Sequence, residues 1–206
     1  AAVLALLISL TLLLGLPLIS KLPVWFLAGY SAGLKDYFAL FQIFIFMLSF
    51  GLMILPTLFM GAMFPLVAVI WTRRISHAGR GVGMAYAINT SGTILGALLG
   101  GLFILPWLGV HKSIMLAAGL YFLVAAGFWL FSSIALSRGR KYAVTAIAAL
   151  LMAVVTWLIP PWNKTMMVSG MFSRPDAMNI AMKSQPGRSL QQIIDEYELL
   201  YYEEGL

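Results

Sequence analysis

The amino-acid sequence predicts an all-α integral membrane protein of about five transmembrane helices, one of them long and proline-kinked, followed by a short, truncated soluble tail. Three observations predict it. Of 206 residues, 62% are hydrophobic and only 10% charged, where a soluble domain carries about 25% charged residues. The apolar residues come in runs near the roughly 20 residues that a helix needs to cross hydrocarbon. Lys and Arg fall singly or in pairs between those runs, as they do at membrane edges.

The first span covers about Ala1–Ile19, and a loop containing Gly and Pro follows through Lys35. The second runs from about Tyr37 to Thr72 without one charge. At 1.5 Å per residue that is roughly 50 Å, too long for an upright crossing. No polar turn interrupts it, so a single tilted helix kinked at Pro56 and Pro65 fits better than a hairpin or a helix broken at Pro56. After the basic loop "RRISHAGRG" the third span covers about Val82–Leu105 and stops at "PWLG". The fourth covers Ser113–Ile134 and is closed by "SRGRK"; the fifth covers Tyr142–Ile159 and is ended by Pro160 and Pro161.

Residues 1–159 therefore read as a transmembrane helical domain, and 160–206 as a linker and the beginning of a soluble domain. The tail up to Ser189 reads as a loop with short elements. Ser189 with Gln192 fits a capping box, and Leu190, Ile193, Ile194 and Tyr197 fall at helical spacing. "LLYYEEG" reads as a strand reaching a turn. The chain opens inside an apolar run and closes on "YYEEGL", so a piece of a longer protein is expected.

Charge divides along the same boundary. Residues 1–159 hold nine Lys/Arg against one acid, and 160–206 hold four against six, which gives the net +6. The loops after the second and fourth spans are the most basic, with Arg73, Arg74 and Arg80 in one and Arg138, Arg140 and Lys141 in the other. The positive-inside rule puts both in the cytoplasm and the tail on the opposite side. Basic residues so dispersed give no nucleic-acid footprint. The absence of cysteine excludes disulfides and thiolate metal sites. No P-loop, paired intramembrane carboxylates, metal-spaced cluster or nucleophile with a His partner is present, so no catalytic, cofactor-binding or metal-ligating residue is assigned.

Two stretches stand out from the apolar background. In "AYAINTSGTILGALLGG", Gly92, Gly96 and Gly100 share one helix face, where the missing side chains let another helix approach closely. Asn89 and Thr93 lie on the same stripe, near Tyr86. An amide facing lipid would leave its donors and acceptor unpaired, so Asn89 is expected to face protein or a water-filled cavity. Two readings stay open: helix packing on the glycines, or a polar cavity at Asn89, Thr93 and Tyr86. The second stretch, "LPTLFMGAMFPL", sets Gly61 between Pro56 and Pro65. That pattern marks a kink or helix break, which membranes tolerate where neighbours re-satisfy the freed carbonyls, and broken helices line substrate sites in transporters.

Together, "LPTLFMGAMFPLV", the basic loop and "GRGVGMAYAINTSGTILGALLGGLFILPWLG" resemble the membrane half of fused transporter-like (MFS-like)/spermidine-synthase-like proteins. The positions that carry the resemblance are Tyr86, Ala87 and Asn89, then Pro106 and Gly109, within roughly residues 55–110. "LLYYEEGL" resembles the first strand of the fused aminopropyltransferase-like domain. The resemblance implies a parent transferase that takes decarboxylated S-adenosylmethionine as substrate and passes an aminopropyl group to a polyamine. Its cofactor loop and acidic residues would lie past Leu206, so this chain itself carries no cofactor. The expected partners are the lipid bilayer, a small-molecule polyamine and a helix-mediated oligomer, with no nucleic acid. The expected location is the plasma membrane of a prokaryotic cell. A cytoplasmic transferase domain would disagree with the side that the charge count gives the tail.

Overall fold

The computed structural model describes residues 1–71, 78–132, 136–168, 172, 175–185, 187–188 and 190–195. All regular structure among them is helical. α1 spans Ala2–Ser31, a 3-10 turn covers Leu34–Asp36, and α2 spans Phe38–Trp71. α3 (Ala78–Leu99) runs through a π turn at Gly100–Ile104 into α4 (Leu105–Leu130), and α5 covers Arg138–Leu158. Three short helices follow: α6 (Lys164–Val168), α7 (Pro175–Ser184) and α8 (Leu190–Asp195). The predicted strand "LLYYEEG" and the side chain of Ser189 lie outside the described residues.

Among the described residues, four stretches are long and apolar enough to cross a membrane: Ala2–Ser31, Phe38–Ile70, Gly79–Leu130 and Arg138–Leu158. The sequence predicts about five, and the difference lies in the third stretch. It has 52 residues, and its one interior departure from helical backbone is at Gly109, with φ 72° and ψ 168°. The predicted stop at "PWLG" is thus a bend at its last residue, Gly109, within a continuing helix. A proline inside a helix collides with the carbonyl four residues back. The wide π turn immediately before Leu105 relieves that crowding at Pro106. The positive φ at Gly109 is one that a residue with a side chain rarely adopts.

The first predicted loop is a correction. The sequence predicts a loop from about Ser20 through Lys35, yet α1 stays helical to Ser31 with Pro17 and Pro23 inside it. The reason is packing. Leu16, Pro23, Phe26, Leu27 and Tyr30 are all buried along this half of α1, and burying each large apolar side chain contributes about 1.5–3 kcal/mol. Together these outweigh the cost of the two backbone bonds that Pro17 and Pro23 remove.

The chain divides into two compact units. One holds Ala1–Leu14 and Ile54–Ile159. Its core joins small residues: Ala5, Ile8 and Ser9 of α1 and Ala118 of α4 are fully buried. The Ser9 hydroxyl donates to the Ala118 carbonyl at 2.8 Å and lies 3.6 Å from the Met152 sulfur of α5. A buried hydroxyl so paired avoids a desolvation penalty of about 1–3 kcal/mol.

The other unit holds Gly15–Met53 and Pro160–Glu203. Leu27 of α1, Met178 of α7 and Ile194 of α8 form its apolar centre, with Met166 of α6 against them. Phe26 gathers Tyr30, Phe41 and Phe172 around it at centroid separations of 6.5, 5.4 and 4.9 Å. Residues 160–203 thus share a unit with part of the apolar helices, Gly15–Met53. α7 occupies what reads in the sequence as loop. It opens on Pro175, where a helix needs no N–H donor, with Asp176 in its first turn and Lys183 in its last, both favoured by the helix dipole.

Candidate functional site

α2 places the first motif. Pro56, Gly61 and Pro65 lie inside a helix that runs uninterrupted from Phe38 to Trp71. The favoured reading, a single long helix, is what forms, and not the alternative broken at Pro56. The prolines still leave their mark, since each removes the bond to the carbonyl four residues earlier, at Leu52 and at Gly61. Gly61 presents no side chain to the Pro65 ring, and nothing lies within 4 Å of where its Cβ would stand.

α3 places the second motif, and one contact joins the two. The rings of Phe64, beside Pro65, and Tyr86, in the "AYAIN" run, meet edge to face at 5.9 Å and 82°. The pair brings the resemblance-bearing stretches side by side even though the basic loop separates them in sequence. Arg73, Arg74 and His77 of that loop lie outside the described residues.

From Tyr86 onward α3 is bare. Asn89, Gly92, Thr93 and Gly96 are all exposed, and no atom comes within 4 Å of the Cβ positions of Gly92, Gly96 or Gly100. No described part of the chain therefore packs on the glycine face. Thr93 is self-sufficient, since its hydroxyl donates to the Asn89 carbonyl at 2.9 Å. That bond turns Thr93 away from a role as donor to a second group. The Asn89 side chain makes no hydrogen bond to a described residue. Of the three residues named for a polar cavity, the structure thus binds Tyr86 to Phe64, satisfies Thr93 locally and leaves Asn89 open.

Three features were not singled out from the sequence. The first is Ser113, whose hydroxyl donates to Gly109 O at 2.6 Å and lies 3.5 Å from Ile104 O. In a straight helix nine residues rise roughly 13 Å, so the chain bends sharply at Gly109 and Ser113 closes the bend. The second is Lys141. It reads as a loop charge, yet it is only 8% exposed. Its Nζ donates to the Ser132 carbonyl at 2.5 Å and contacts the Ser132 hydroxyl at 3.3 Å. Ser132 lies two residues past the end of α4, so the cation stands just beyond that helix's C-terminus, where it complements the dipole. Ser137 caps the start of α5 by accepting from the Arg140 N–H at 3.4 Å, which sets Lys141 one residue further on.

The third lies in the other unit. Lys35 Nζ stands 3.2 Å from Asp176 Oδ1 and 4.7 Å from the Tyr30 ring centroid. Hydrogen bonding from Tyr30, then from Lys35, holds the Asp176 carboxyl below its usual 3.8. The hydrogen bond to Asp176 raises Lys35 above its usual 10.5. The group fixes α7 on the end of α1 and has no nucleophile or metal ligand set. Among the described residues, no three His, Cys, Asp or Glu side chains come together.

No protein-family model, curated protein sequence or solved structure matches the chain.

Proposed function

We propose that the chain is the membrane-embedded helical region of a spermidine-synthase-like protein of the aminopropyltransferase family, where it anchors that domain and handles its substrate. The observation that carries the membrane part is the bare surface of α2 and α3. Phe38, Ile43, Phe46, Leu58, Leu95 and Leu98 are each at least 51% exposed, on helices with no charge between Phe38 and Trp71 or between Val82 and Leu105. Water does not support so much contiguous apolar area, and hydrocarbon does. The family part rests on the motif residues and on Phe64 and Tyr86 joining the two stretches that hold them. The chemistry of transfer belongs to the parent's soluble domain, and decarboxylated S-adenosylmethionine is that domain's substrate.

The open side chain of Asn89 favours a second reading, a fragment of a secondary transporter. An amide in hydrocarbon needs a partner, and a solute with N–H and amine groups would supply one. In proteoliposomes loaded with labelled spermidine, Asn89→Leu is expected to abolish flux on this reading, with the helical circular dichroism unchanged. Flux equal to that of the unaltered chain takes Asn89 out of any solute path and leaves the anchoring role. For the first reading, deleting the membrane region from the parent should release its transferase domain from the membrane fraction. A domain that stays in that fraction without it contradicts anchoring.

A further inference from the structure

We propose that a cavity among α1, α4 and α5 holds the acyl chain of a phospholipid, whose ester carbonyl accepts a hydrogen bond from Trp129. The inference rests on the membrane reading above and adds a specific lipid site to it. The cavity has a volume of about 200 Å³. Val3 and Leu6 of α1, Ala125 and Trp129 of α4, and Thr145 and Ala148 of α5 line it. Apolar cavities of about 150 Å³ stay dry and take up small apolar groups, so this one suits a stretch of hydrocarbon.

One lining residue asks for more than hydrocarbon. The Trp129 Nε1 is buried with no acceptor among the described residues. A buried indole N–H ordinarily has a partner. The other polar lining group does not serve it: the Thr145 hydroxyl donates to the Lys141 carbonyl at 2.9 Å, and no hydrogen bond joins it to Trp129. The missing acceptor is therefore expected from the occupant.

The depth of the site says which occupant. Trp129 is the second-last residue of α4, which ends at Leu130, and α5 opens at Arg138. Arg138 and Arg140 are exposed at that end, and Lys141 bonds Ser132 just past the end of α4. Trp with Lys and Arg marks the interface between hydrocarbon and water. Phospholipid ester carbonyls lie at that level, with their acyl chains running inward. A chain that enters beside Trp129 thus brings its acceptor to Nε1 and its methylenes to Ala125 and Ala148. Arg140 precedes Val144, also a lining residue, by one helical turn on the same face, where a phosphate would stand.

The test uses the full chain in detergent, with native mass spectrometry of bound lipid. Two probes are titrated: a diester phosphatidylglycerol and its diether analogue, which lacks the carbonyls. The diester should bind one per chain and about fivefold more tightly than the diether, as one hydrogen bond allows. Trp129→Phe should remove that difference by weakening the diester alone. Ala148→Leu should weaken both by about tenfold, by filling the cavity. Trp157→Phe, at an indole 83% exposed near the end of α5, should change neither. Equal binding of the two lipids, or a Trp129→Phe chain that still prefers the diester, overturns the proposal. If Ala148→Leu fails to fold, as judged by its helical circular dichroism, the Trp129 comparison decides alone. A chain that needs detergent but shows no lipid preference sinks this proposal only, whereas a chain soluble without detergent sinks the membrane reading.

Discussion

The second half of α1 and the length of α3 are both apolar helices, yet one is covered and the other bare. Along α1 the chain supplies its own cover: Met178 and Ile194 from the tail close over Leu27, and the Phe172 ring packs at a tilt against Phe26. Along α3 beyond Tyr86 it supplies none, and the positions beside Gly92, Gly96 and Gly100 stay empty. The difference is one of amphipathic partners. α7 and α8 each offer an apolar stripe that must be buried somewhere, with Met178, Ile193 and Ile194 at most 5% exposed. No such stripe is directed at α3, so its surroundings have to come from outside the described chain.

The comparison breaks most easily at Leu27. It is 2% exposed at the centre of its unit, so Leu27→Ala should cost about 3 kcal/mol of stability in detergent, read by thermal or denaturant unfolding. It should also expose the tail to limited proteolysis. A neutral result would mean that the tail is not docked on α1.

A pair of glycines sharpens it. A Cβ at Gly29 of α1 would overlap the Phe44 ring of α2, and relieving an overpacked contact costs about 1–3 kcal/mol. Gly29→Leu should therefore lower the unfolding temperature. Gly96→Leu meets nothing and trades a poor helix former for a good one, so the detergent-solubilised chain should gain up to about 0.8 kcal/mol. Destabilisation by Gly96→Leu would show that a helix covers that face in solution, in keeping with a helix-mediated oligomer.

The smallest effect is electrostatic. Asp176 is held below 3.8 in the folded chain, so its contribution is complete above that value and is lost as the pH falls through the lowered one. Lys35 is held above 10.5, so its contribution is complete below that value and is lost as the pH rises through the raised one. Between the two, the bridge should leave stability flat. Because both side chains are exposed, at 37% and 69%, salt screens the pair. Asp176→Asn should flatten the acid limb of a pH–stability curve and change little at neutral pH. An unchanged acid limb would show that other carboxylates govern it.

The helices were legible in the sequence because their signal is composition over long windows. The span predicted from Tyr37 to Thr72 forms as Phe38–Trp71, and the one from Tyr142 to Ile159 as Arg138–Leu158. Helix ends were less legible where packing decides them. Nothing local in "SKLPVWFLAGYS" says that a tail 140 residues away will cover Phe26 and Tyr30 and hold that segment helical. Gly109 was visible as a residue but not as the bend, because Pro106 is the stronger local stop signal and only the π turn disarms it. Lys141 was hidden by its neighbours: among Arg138, Arg140 and Lys141, sequence alone does not say which charge folds inward. Asn89 and the glycines were legible as an anomaly, and the structure locates that anomaly on an uncovered face.

The central claim is that these helices are built to be solvated by hydrocarbon. Sedimentation of the purified chain before and after detergent removal tests it most directly. The chain should be monodisperse in detergent, with its helical circular dichroism intact, and should aggregate or partition into added phospholipid vesicles once the detergent is gone. A helical, monomeric chain in plain buffer that ignores the vesicles would contradict the claim.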